Sequence, residues 1–370
     1  MKILITNAHL QEPAGTQVVV RDLAAELLRQ GHVPLVYSPR LGEVAEQIRR
    51  QGVQVTHELA DLSALPDIIH GQHHPAVLEA LLHFPGTPAI YACHAATEPL
   101  EEPFFHPRIL RYVAVDERCR ARVASAPGIS PERIRVMWNA VDLERFRERA
   151  PLPAQPRRAL VFSNGAGPST HLPAVRQACR RRGLELDVLG YRAGNELLDP
   201  ESVLPAYDLI FAKARCALEA MAVGAAVVLC DAAGAGPMVT AANFERLRPM
   251  NFGAALLTQP LRPEHLLAEM ERYDPADAAA VSRRVRREAG LSAAVAGWLA
   301  LYAEVLEEFS RAPRDAAVEA RALEQYLRNQ GYGQRAGWEK ERQRRLAGDP
   351  RFAARLLHGA RRALGRWAKS

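Results

Sequence analysis

Lys213, Arg215 and Glu219 lie in one stretch, Asp208 to Val239, that reads DLIFAKARCALEAMAVGAAVVLCDAAGAGPMV. A carboxylate on a mostly small and apolar helix can accept hydrogen bonds from ribose hydroxyls, and two cations beside it can face a diphosphate. The same spacing, four residues from Arg215 to Glu219, also describes an ion pair on a helix surface, and the residues alone leave both readings open. After this helix come Gly234 and Gly236, where small residues let backbone N–H groups approach a ligand closely. His70, His73 and His74 form a tight cluster that invites a metal. No carboxylate or cysteine completes a standard ligand spacing around it, so no metal is expected. His94 ends the apolar run Pro88 to Cys93, at the strand edge where open α/β sheets bind ligands; a histidine there can also simply cap carbonyls.

The elements that must position these residues alternate between strand and helix patterns. Ile3-Leu4-Ile5, Val33 to Tyr37, Pro66 to His70, Pro88 to Cys93 and Tyr112 to Val115 read as buried strands. Gln17 to Arg29 reads as an amphipathic helix that stops at Gly31. The run RERAPLPAQPRR near residue 150 holds three prolines and five charges and reads as a linker. A second strand–helix alternation begins at Ala159-Leu160-Val161-Phe162 and includes the β-branched run Ala226 to Cys230, typical of a strand covered on both faces. The expectation is an α/β protein with two Rossmann-like, doubly wound parallel-sheet domains.

The sequence LEAMAVGAAVV resembles the LEAMA-G-PVV signature of the retaining, metal-independent glycosyltransferases of family 4, and WNAVDLERF resembles their N-G-V-D-x-x-x-F junction, with Asn139, Asp142 and Phe146 in register. The resemblance spans roughly residues 1 to 310 and implies the GT-B fold. It divides the chain into an acceptor domain at 1–148, a linker at 149–158, a nucleotide-sugar donor domain at 159–290 and a helix at 291–310 that crosses back to the first domain; beyond the resemblance lies a basic tail at 311–370. The resemblance further implies a ribose contact at Glu219, donor phosphates near Gly15, a donor-sugar contact at His94, and a donor-binding segment at Asn251. Two departures stand out. The family's first glutamate is replaced by Phe211, and its arginine and lysine after the first strand of the second domain are replaced by Asn164 and glycines. Lys213 and Arg215, helped by backbone N–H groups from Gly165 to Gly167, are expected to meet the diphosphate instead.

Composition sets outer bounds. A 370-residue chain that is 48% hydrophobic can fill two cores. Five scattered cysteines without metal spacing read as reduced thiols, and no signal peptide or membrane span is apparent, which points to the cytoplasm. Residues 311–370 carry 15 Lys/Arg against 6 Asp/Glu, so the net charge of +6 belongs to the tail and the near-neutral body excludes a basic nucleic-acid groove. The last helix pattern, residues 351–369, sets an apolar face against arginines; it fits either an anionic membrane surface or packing against protein. The expected function is transfer of a sugar from a UDP or GDP type donor to a glycan or lipid-linked acceptor, with no cofactor and no metal. The alternatives are a catalytically silent homologue that binds a nucleotide sugar or a partner, and a nicotinamide-dependent oxidoreductase suggested by Gly234-Ala235-Gly236 after a strand.

Overall fold

The protein is described by a computed structural model in which residues 1–195, 197, 199–311 and 315–330 are placed. The expected membrane-surface segment 351–369 lies outside the described residues. Among those residues no helix is long and apolar enough to cross a membrane.

The first sheet contains β1 (Lys2–Thr6), β2 (Val33–Tyr37), β3 (Gln54–Thr56), β4 (Ile68–Gly71), β5 (Ala89–Cys93), β6 (Ile109–Ala114) and β7 (Ile134–Val136). Their order is β3-β2-β1-β4-β5-β6-β7, and every pair is parallel. The helices of this half are α1 (Gly15–Arg29), α2 (Glu43–Arg50), α3 (His74–His83) and α4 (Glu117–Ala124). The central strands are buried from end to end, as Val, Ile and Leu runs covered on both faces must be. Asp116 starts α4 by accepting the Cys119 N–H at 2.8 Å.

The second sheet contains β8 (Arg158–Phe162), β9 (Glu185–Leu189), β10 (Leu209–Ala212), β11 (Ala226–Asp231) and β12 (Gly234–Met238), in the order β12-β11-β10-β8-β9. Its helices are α5 (Leu172–Arg182), α6 (Ala214–Val223), α7 (Phe244–Leu247), α8 (Pro263–Met270) and α9 (Pro275–Glu288). The sheet is parallel, as expected, except at its edge, where β12 runs antiparallel to β11. Residues 231–237 are therefore a tight strand return and not an open glycine loop.

A final helix, α10 (Leu291–Arg311), follows the second sheet in the chain but packs on the first. Val295, Leu301, Tyr302 and Val305 join Ile5, Ile90 and Val113 in one core. Arg111 of β6 adds ion pairs to Glu304 and, at 2.7 Å, to Glu308. A separate unit groups Phe105–Pro107 with residues 315–330, of which 316–330 are helical.

In both sheets the strand order reverses direction once, between β1 and β4 and between β8 and β10. Crevices at such switch points, beyond the carboxyl ends of the strands, are where open α/β sheets take ligands.

Candidate active site

Two cavities lie at these switch points. The outer one, about 640 Å³ and open to solvent, has Gly15, Arg21, Asn164, Gly190, Arg215 and Glu219 among its walls. Gly15 opens α1, and a Cβ there would meet nothing within 4 Å, so the absence of a side chain keeps open space. Asn164 spans the crevice: its amide donates to the Pro13 carbonyl at 3.0 Å and its oxygen accepts from the Tyr191 N–H at 3.3 Å. The inner cavity, about 480 Å³, is walled by Asp22, His70, His94, Asn139, Arg215 and Trp298 together with apolar side chains. Arg215 faces both.

Arg215 is the hub of a buried ion network. Its Nε donates to Glu219 at 2.7 Å and its Nη2 to Asp22 of α1. Asp22 also accepts from Arg21 at 2.9 Å and from Arg145 at 3.1 Å, and Arg145 holds Glu201 through two bonds of 2.8 Å. Glu219 thus makes the ion pair foreseen at i,i+4, yet it is only 4% exposed and lines the outer cavity; the pairing is no surface decoration. Burial pushes both carboxyls up. At Asp22 three guanidinium groups outweigh burial and hold it below the usual range, whereas at Glu219 burial, helped by the Asp22 charge, outweighs the nearby cations, chiefly Arg215, and holds it above. Among the described residues the hydrogen bonds of Arg215 use Nε and Nη2, and none uses Nη1.

Local geometry explains how α6 offers its first turn to the crevice. Its N-cap residue, Lys213, provides no side-chain cap. Ala214 is held at φ 48° with its N–H on the Phe252 carbonyl at 2.8 Å, and the turn that presents this carbonyl has both Asn251 and Phe252 at positive φ. The next N–H groups of the turn remain open to an anion. Lys213 itself reaches Asp231 at 2.8 Å, and His171, fully buried, lies 3.7 Å from the same carboxylate.

The histidine cluster does not converge. His70 bonds Tyr302 at 2.6 Å, His73 accepts the Ala8 N–H at 3.2 Å, and His74 opens α3. No group of three or more potential metal ligands forms among the described residues. His94 follows β5, donates its backbone N–H to Glu101 at 2.7 Å, lines the inner cavity, and has a buried Nε2 without a hydrogen-bond partner among the described residues.

Other expected residues lie elsewhere. Gly165 and Gly167 spend their N–H groups on Ser163 Oγ and Thr170 Oγ1, so this loop has no such donors free for a phosphate. Asn251 lines neither cavity and instead accepts from Arg248 at 3.1 Å. Gly234 and Gly236 sit in β12, where a Cβ would come within 2.7 and 2.8 Å of the Leu257 and Leu256 carbonyls; the close approach they allow is to the protein's own backbone. A strand in place of a strand-to-helix turn also removes the dinucleotide fingerprint, and the nicotinamide reading has no site there. Phe211 is fully buried in β10. Sequence reasoning missed Asp22, Arg145, Glu201 and the His70–Tyr302 pair. Asp22 beside Arg21 was visible as a charge on a helix, but its partners are far away in the chain.

Residues 13–145 match the model of Glycosyltransferase Family 4. No curated protein matches the chain in sequence. Among solved structures it is similar to a glycosyltransferase from Rickettsia africae ESF-5, with 14% identity, a TM-score of 0.60, and coverage of 82% of this chain and 98% of that one. It is similar to Anabaena Alr3699/HepE, solved in complex with UDP and glucose, with 15% identity, a TM-score of 0.59, and coverage of 82% and 99%. A sucrose-phosphate synthase from Thermosynechococcus elongatus gives 15% identity, a TM-score of 0.58, and coverage of 83% and 99%. The fold is GT-B, and residues 13–145 carry a glycosyltransferase family domain.

Proposed function

We propose that the protein transfers a sugar from a UDP or GDP type nucleotide-sugar donor to a glycan or lipid-linked acceptor, with retention of configuration and without metal or cofactor. The observation that carries this reading is the meeting of two cavities at Arg215. A nucleoside in the outer cavity brings its ribose to Glu219, its diphosphate to the open first turn of α6 and to Nη1 of Arg215, and its sugar into the inner cavity beside His94. As the glycosidic bond breaks, charge grows on the leaving diphosphate, and a fixed cation and helix dipole aimed there supply the largest stabilisation. An acceptor hydroxyl approaching on the face the diphosphate leaves retains configuration and needs no carboxylate nucleophile, so Phe211 at the partner-glutamate position is no obstacle. The HepE complex with UDP and glucose supports a donor of this chemistry. The cytoplasm, with residues 351–369 on an anionic membrane face, is the matching location.

A second reading, a silent homologue that binds a nucleotide sugar or a partner, has one observation in its favour. Lys213 and Arg215 already have carboxylate partners. One experiment separates the two: thermal melting with UDP, GDP, ADP and their sugar conjugates on wild type and Glu219→Ala, followed by product analysis with any conjugate that binds. A ligand at 100 times its Kd adds about 2.7 kcal/mol. The expected result is stabilisation by one nucleotide class that Glu219→Ala largely loses, and slow transfer or hydrolysis of its sugar. Binding without turnover supports the silent reading, and no binding overturns both nucleotide readings.

A further inference from the structure

The inner cavity holds a polar group that neither the ion network nor the proposed donor contacts employ. His70, at the carboxyl end of β4, is fully buried, and its Nε2 has no hydrogen-bond partner among the described residues. Its Nδ1 lies 2.6 Å from the hydroxyl of Tyr302, which is also fully buried and bonds nothing else among them. Two proton arrangements are open. If Nδ1–H donated to the phenol, the buried tyrosine proton and the Nε2 lone pair would both go unpaired. If the phenol donates to Nδ1, only an Nε2–H is left over. An unsatisfied buried polar group is costly, so the second arrangement holds. Burial also pushes His70 down to about 3, so the ring is neutral at physiological pH. Trp298 of α10 packs against it at 4.6 Å between ring centres and fixes its plane. His70 therefore carries one fixed, unpaired N–H donor and is, with Arg215, among the residues that line the inner cavity.

We propose that His70, locked as the Nε2–H tautomer by Tyr302, is a specificity residue that reads an oxygen substituent on the donor's sugar ring and rejects rings lacking it. The inference rests on the nucleotide-sugar reading of the cleft. Its chemistry is one-directional: a hydroxyl or ether oxygen accepts from Nε2–H, whereas a deoxy position leaves that donor buried and unpaired.

The test uses the full chain, labelled with 15N-histidine, and the nucleotide sugar that raises its melting temperature, with monodeoxy analogues at each ring position. The 15N spectrum of the free protein at neutral pH is expected to show His70 protonated at Nε2; protonation at Nδ1 would overturn the tautomer. In wild type, removing the oxygen at one ring position is expected to weaken binding roughly 10- to 100-fold. The double variant His70→Phe/Tyr302→Phe removes both partners of the internal bond, so no orphan is created. It should bind parent and that analogue alike, with affinity for the nucleotide alone unchanged. Tyr302→Phe alone, which frees the tautomer, should lose part of the discrimination and serves where the double variant does not fold. A series in which the variants discriminate as wild type does, or in which no position matters, means a cavity filled by water and overturns the proposal while leaving the cleft reading intact. Absence of any nucleotide-sugar binding to wild type overturns the cleft reading and this inference with it.

Discussion

Asp22 gathers Arg21, Arg145 and Arg215 onto one carboxylate that is 3% exposed. Removing one member of a buried ion group strands the others without compensation, which typically costs about 3–5 kcal/mol. Asp22→Asn is expected to destabilise the protein by that order at neutral pH. Because the folded-state carboxyl titrates below the ordinary aspartate value, its stabilisation is fully present above that value and is lost as the pH falls through the lower folded one. Melting temperatures from pH 7 to pH 3 should show the gap between wild type and variant widest at neutral pH and narrowing below about 3.8; a constant gap would refute the argument. Part of this network was legible, since Arg215 and Glu219 are i,i+4 neighbours. Its centre was not, because Asp22 and Arg145 enter from other elements and no local pattern marks an aspartate on an amphipathic helix as the partner of two distant arginines.

At the scale of elements, the crevice depends on chain reversals that tolerate no side chain. Gly190, just past β9, has φ 152°, and a Cβ there would lie 2.1 Å from the Ser163 carbonyl after β8. Gly190→Ala must push these two strand ends apart, at roughly 1–3 kcal/mol by analogy with overpacked cores, and distort the wall of the outer cavity. Chemical denaturation should show the loss of stability; nucleotide binding should weaken beyond what that loss alone explains. The strand and helix runs were readable because β-branched segments alternate with amphipathic ones. The direction of β12 was not. Gly234 and Gly236 look alike whether their missing side chains admit a phosphate or another strand's carbonyls, and only the position of Leu256 and Leu257 decides between them. In the turn that aims α6, the two left-handed positions are Asn251 and Phe252 and not the glycine that follows them, so the sequence does not mark where the chain turns.

For the molecule as a whole, α10 is the part that joins beginning to end. Its apolar stripe was legible as a long amphipathic helix, and its return to the first sheet came from the resemblance; the ion pairs of Arg111 with Glu304 and Glu308 are contacts only the fold shows. Without α10 the first sheet exposes the core positions that Val295, Leu301, Tyr302 and Val305 cover. Residues 1–146 made alone are expected to bind hydrophobic dye and to self-associate. Supplying residues 291–311 as a peptide should suppress both, and a fragment that is monomeric and dye-silent by itself would contradict this account.

The same return path has a consequence for synthesis. Chains emerge from the ribosome amino end first, and domains usually complete themselves in that order. Here the first sheet is fully translated at Val136, yet its covering helix begins at Leu291. At roughly 5–20 residues per second, the nascent first half waits on the order of ten to thirty seconds with part of one face uncovered. The second sheet, which needs nothing downstream of α9 for its own core, is free to mature in that interval. The half that is translated first is thus the half that finishes last.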